Sequence, residues 1–97
     1  MPNNLPTISD APLPNFNSIT FQRINSRWNE YRFYQIKWAP TLLDDGAIIR
    51  VYGRINGGQR TMSPLPYPSL ADAWSMICKQ IRKRLKHDYL ITGLSAG

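Results

Sequence analysis

The chain of 97 residues carries 12 Lys and Arg against 6 Asp and Glu, a net charge of +6, and its length suits one domain with one modest core. At 42% hydrophobic and 19% charged residues it is no disordered polyelectrolyte, and no apolar run is long enough to span a bilayer as a helix. A single cysteine, Cys78, excludes an internal disulfide and fits a reducing compartment. No apolar stretch precedes Arg23, the first Lys or Arg, so no secretory signal is read and the cytoplasm is the expected location. The basic balance selects acidic partners: nucleic acid first, then an anionic membrane or an acidic protein.

Residues 1–15 hold four prolines, Pro2, Pro6, Pro12 and Pro14, and are expected to form an extended, flexible arm. The alternation in FNSITFQRI, from Phe16, predicts a first strand, and NSRWNE a turn. YRFYQIKWAP predicts a second strand, ended by Pro40. Asp45-Gly46 is a hairpin signal, glycine supplying positive φ cheaply. IIRVYGRI, within residues 47–56, predicts a third strand, and Asn56-Gly57-Gly58 a further turn before a short strand in QRTMSP. The prolines of PLPYPS are expected to break the sheet. Ser69 reads as an N-cap with Asp72 three residues on. Leu70, Ala73, Trp74, Ile77, Cys78, Ile81 and Leu85 then share one helical face, and the helix is expected to end near His87. Arg84 falls within that apolar arc, its stem placed to pack while its head reaches water. DYLIT offers a short strand and residues 93–97 a frayed end. The fold class is therefore α+β: an antiparallel sheet of three to five strands with one amphipathic helix on one face, in a single domain over 16–92.

The ordered run of RFYQIKW, VYGRINGGQ, a proline-rich connection, SLADAWSMICKQIRKRL and HDY resembles the WGR domain over roughly residues 30–89. The triplet that gives that family its name is here Tyr52-Gly53-Arg54, tyrosine standing for tryptophan. The resemblance implies an antiparallel sheet with one helix laid on it. It also implies a role near DNA: in damage-responsive poly(ADP-ribose) polymerases such domains help hold a broken end, the triplet's aromatic near the terminal nucleotide and its arginine supporting phosphate and interdomain contacts. Short free-standing bacterial proteins are built of the same domain, and this chain is similar to those.

Strand alternation sets Arg50, Tyr52 and Arg54 on one face and Ile49, Val51 and Ile55 on the other, the second set being the expected core face. Two readings of the polar face stand. It is a solvated outer sheet face, or it grips phosphate with arginine forks and offers tyrosine as a stacking plane. The turn at Asn56-Gly57-Gly58-Gln59, with Arg60, is either a plain hairpin turn or a set of amides aimed at a phosphate. Lys79, Arg82 and Lys83, with Lys86, form a basic helical stripe: an ordinary solvated face, or a bed for a phosphate backbone. An exposed Trp28 could stack on a base or merely cover the core edge; Trp38 and Trp74 are assigned to the core. His87 reads as a local cap, Cys78 as a buried inert thiol, and Asp44 and Asp45 as turn residues without a third metal ligand. No catalytic residue, cofactor or metal is expected. The expected function is a non-enzymatic nucleic-acid-binding module for duplex DNA or DNA ends, RNA being inseparable from DNA by sequence. The alternative is a protein-interaction or homodimerisation module. No membrane partner or small-molecule substrate is expected.

Overall fold

The computed structural model describes residues 11–96. In chain order come β1 (Phe16–Asn25), a 3-10 turn (Ser26–Trp28), β2 (Glu30–Ala39), β3 (Ala47–Arg54), β4 (Gln59–Thr61), β5 (Leu65–Pro66), α1 (Leu70–Lys86) and β6 (Leu90–Ala96). The strands form one six-stranded antiparallel sheet in the order β4-β3-β2-β1-β6, with β5 also paired to β3. The protein is thus α+β, an antiparallel sheet with one helix against it.

The helix is specified locally. Ser69 caps it, its hydroxyl accepting from the Asp72 amide at 3.2 Å, and Lys83, Arg84 and Lys86 occupy the last turn, where cations suit the exposed carbonyls. His87 closes it, its amide donating to the carbonyls of Lys83 and Arg84. Ala73, Trp74, Ile77, Cys78 and Ile81 are buried against Phe16, Ile19, Phe21, Tyr34, Ile36 and Ile48 of the sheet. The Trp74 ring meets Phe16 edge-on, with centroids 5.4 Å apart.

Several expectations need correction. The expected core set Ile49, Val51 and Ile55 lies on the face away from α1. Register decides this: Ile48 sits across from Trp38, Arg50 from Ile36 and Tyr52 from Tyr34, so the even-numbered residues of β3 share the face that α1 covers. Val51 is buried nonetheless, between its cross-strand neighbours Gln35 and Thr61. The proline-rich segment does not end the sheet, because β5 pairs with Ala47 and Ile48; proline is tolerated there as only one edge of so short a strand is paired. Residues 93–96, expected to fray, continue β6 along β1, with register shifts at Phe16/Ser18 and Thr20/Phe21. Tertiary pairing overrides the weak strand propensity of GLSA.

The expected flexible arm reaches into the described region only at residues 11–15; residues 1–10 lie outside it. There Leu13 packs on the core and its carbonyl accepts from the Phe16 amide at 3.2 Å. The turn after β2 is closed by Thr41, whose hydroxyl oxygen accepts from the amides of Leu43 and Asp44 and donates to the Asp44 carboxylate at 2.9 Å. Gly46 supplies no positive φ. A Cβ there would collide with the Trp38 ring, so the glycine is needed for close approach. Positive φ falls instead on Asn15, Asn29, Asn56 and Asp88, residue types that tolerate it through local side-chain hydrogen bonding.

Candidate nucleic-acid interface

Helix α1 covers β1, β2 and only the start of β3. Past Ile48, the same face of β3 becomes the wall of a cleft of about 320 Å³ between β3 and the C-terminal half of α1. Arg32, Arg50, Lys83 and Arg84 line it with Tyr34, Tyr52, Tyr89, Met62 and Gln80, and no carboxylate does. Its floor is aromatic. Tyr34 stacks on Tyr52 at 6.4 Å between centroids and meets Tyr89 edge-on at 6.4 Å. The Arg84 guanidinium lies 4.5 Å above the Tyr34 ring and 5.6 Å from that of Tyr89. Its head therefore rests on tyrosines and does not simply extend to water as expected; cation–π attraction and burial of its stem hold it there. Arg50 donates from Nη2 to the Ser63 carbonyl at 3.4 Å. The Nε atoms of both Arg50 and Arg84 are buried without an acceptor, a costly state for a charged donor.

A second cleft of about 360 Å³ adjoins the first across Arg32, Tyr52 and Tyr89, and adds Trp28, Asn29, Glu30, Tyr31 and Arg54. Arg54 clamps the β1–β2 turn. Its Nη1 donates to the Asn29 carbonyl at 3.1 Å, its Nη2 to the Asn29 side-chain oxygen at 3.2 Å, and its Cζ stands 5.2 Å from the Tyr31 ring centroid. Asn29 is left-handed, with φ 52°, and its amide donates to the Ser26 carbonyl. Since both acceptors are neutral, the clamp leaves the charge of Arg54 uncancelled. Glu30 is shared between Arg23 at 3.0 Å and Arg32 at 3.4 Å.

The structure divides the expected site residues. Arg50, Tyr52 and Lys83 share the first cleft, and Tyr52 and Arg54 the second. Arg60 pairs across from Tyr52 on β4, exposed on the same face but outside both linings. The basic stripe does not act as one patch: Lys79 and Lys86 are exposed outside both clefts, while Arg82 lies on the opposite flank of α1 beside Trp74, Ser75 and Cys78. In the turn after β3 the Gly57 amide donates to the Arg54 carbonyl at 2.9 Å, and the Gly58 carbonyl accepts from the Arg54 amide at 3.3 Å, the bonds of a hairpin turn. Arg32, Arg84, Tyr34 and Tyr89 are additions that sequence reasoning did not place in the site. The lone cation within the apolar helical arc was the signal for Arg84.

Gly53 has a steric reason to be glycine. A Cβ would collide with the Gly58 carbonyl oxygen and come within 2.9 Å of the Gln59 Cα. Backbone atoms cannot swing aside as a flexible side chain can, so β4 itself must move. Gly53→Ala is expected to cost about 1–3 kcal/mol, read as a fall in the urea midpoint at unchanged slope. A neutral result would mean that β4 is free to shift.

One antiparallel sheet, one helix and a cation-lined aromatic cleft at Tyr52-Gly53-Arg54 define a small α+β domain. The chain belongs to the WGR family: the WGR domain matches residues 17–93, which takes in β1 and the start of β6 beyond the stretch whose motifs suggest it. WGR domains are associated with nucleic-acid binding. No curated protein and no solved structure matches the chain. No helix among the described residues is long and apolar enough to cross a membrane, and those residues hold no cluster of three or more His, Cys, Asp or Glu able to bind a metal ion.

Proposed function

We propose that the protein is a non-enzymatic, cytoplasmic nucleic-acid-binding module that grips the phosphate backbone of duplex DNA at or near an end. One observation carries this reading: Arg32, Arg50, Lys83 and Arg84 line one cleft that contains no carboxylate. A phosphate group brings the opposite charge, and acceptors for the guanidinium and ammonium donors that the cleft does expose. Tyr52, between the clefts, offers a ring for a terminal sugar or base. In fluorescence anisotropy at physiological salt, an open blunt duplex is expected to bind more tightly than the same duplex closed by hairpins at both ends, or than a single strand. Binding should weaken linearly on a log–log plot against salt. Arg54→Ala, which frees the turn and removes a cleft charge, is expected to weaken binding more than Lys86→Ala. Equal, weak binding to all three DNAs, lost with salt, would reduce the site to generic charge.

A second reading has its own observation. Leu42 and Leu43 are 104% and 93% exposed on the turn braced by Thr41, beside Pro64 and Pro66. Leucines presented so rigidly suit a protein interface. A protein that purifies free of nucleic acid and dimerises through this turn would favour that reading.

A further inference from the structure

Trp28 is the feature that the phosphate-binding cleft leaves unused. It is 75% exposed, which forfeits the burial of one of the largest apolar side chains. Its 3-10 turn buries no residue, so the ring does not serve the core. Its surroundings are nonetheless rigid. Asn25 pairs with Glu30 at the mouth of the hairpin, and the next residue, Asn29, is held by the two Arg54 hydrogen bonds. The ring lines the second cleft together with Tyr52, Arg32 and Arg54. At about 360 Å³ this cleft falls in the ~300–1,000 Å³ range of small-ligand sites. It joins the cation-lined cleft directly through Arg32, Tyr52 and Tyr89.

A flat apolar face between guanidiniums matches a nucleobase with a phosphate on either side. A base inside a duplex is stacked on both faces, and the open face of a terminal pair falls to Tyr52 in the reading above, so the base left for Trp28 is an unpaired one beyond the end. We infer that Trp28 is the stacking platform for an unpaired base, and that the ligand is a duplex end with a single-stranded extension. This rests on the nucleic-acid reading above and narrows it. The duplex-side backbone lies along Arg50, Lys83 and Arg84, Tyr52 marks the junction, and the first unpaired base enters between Trp28 and Arg54. Arg54 acts here as a positioning residue, through its hold on Asn29.

The test uses three labelled DNAs: a blunt duplex, the same duplex with a short single-stranded extension, and that duplex with the extension made of abasic nucleotides. The abasic extension keeps every phosphate and removes the bases. The wild-type protein is expected to bind the base-bearing extension at least about fivefold more tightly than the abasic one, and base-bearing DNA alone should quench tryptophan emission. Trp28→Ala should erase the difference between the two extensions, and Trp28→Phe should keep part of it. Equal wild-type binding to both extensions, still weakened by salt, overturns the stacking assignment and leaves the phosphate reading standing. A preference for bases that persists in Trp28→Ala overturns the role of Trp28. Failure to bind any of the three DNAs removes the nucleic-acid reading, and this inference with it.

Discussion

The Arg50→Ala/Lys83→Ala double variant is expected to bind duplex DNA roughly 10- to 100-fold more weakly than the wild type, and to lose about two units from the slope of log affinity against log salt. Each phosphate neutralised contributes about 0.9 to that slope through released counterions, so removing two contacts should flatten it by nearly that sum. These two residues sit on opposite walls of one cleft, Arg50 on β3 and Lys83 on α1. In the proposed binding mode a single phosphate run between sheet and helix meets both. The control is Lys79→Ala/Lys86→Ala, which removes the same charge from exposed positions outside the clefts. If the control weakens binding as much, the protein attracts DNA by net charge alone and the cleft has no special part in it. Circular dichroism checks that the helix persists in both variants.

Trp74→Ala is expected to cost about 3–5 kcal/mol. Trp74 is 2% exposed, lies in the helix and packs edge-on against Phe16 of β1, so its removal opens a cavity at the joint between helix and sheet. Against a total stability of about 5–15 kcal/mol for an ordinary domain, the variant stands near the threshold of unfolding. Trp28→Ala, at the surface, is expected to stay within about 0.5 kcal/mol of the wild type. Urea titrations followed by circular dichroism separate the two. A loss below about 1.5 kcal/mol for Trp74→Ala would contradict its place as the anchor of the helix. The consequence reaches the cleft, since Lys83 and Arg84 are carried there by the docked helix.

The helix was the most legible part of the sequence, because its signals are local. Ser69 and Asp72 mark its start, the apolar spacing its buried face, and His87 its end. Strands were legible as elements but not as a sheet. β3 carries large side chains on both faces, Ile49 and Val51 on one and Arg50 and Tyr52 on the other, so alternation within that strand could not say which face meets α1. Cross-strand pairing says it. The row Tyr34, Ile36, Trp38 on β2 goes under the helix, and the hairpin register carries that row to Tyr52, Arg50 and Ile48. Reading β2 and β3 as one hairpin would have placed the triplet on the helix side. The basic stripe misled for a related reason. Arg82 and Lys83 are neighbours in sequence, yet a helix turns about 100° between them, so they leave on opposite flanks of α1. The short β5 and the end of β6 left no mark in composition, since a partner strand rather than their own residues makes them strands.

The crowding of cations around Tyr52 works against the empty domain as well as for its ligand. Arg32, Arg50, Arg54, Lys83 and Arg84 line two joined clefts in which Glu30 is the lone carboxylate, so the free protein carries a local self-repulsion that its fold must withstand. Screening relieves that repulsion within a Debye length of about 8 Å at physiological ionic strength. Added salt is therefore expected to act in two directions: it steadies the unoccupied fold, and it weakens the polyanion binding proposed for the cleft. On the proposed function, a bound phosphate chain gives the same relief by neutralisation, so occupancy and folding are expected to reinforce each other.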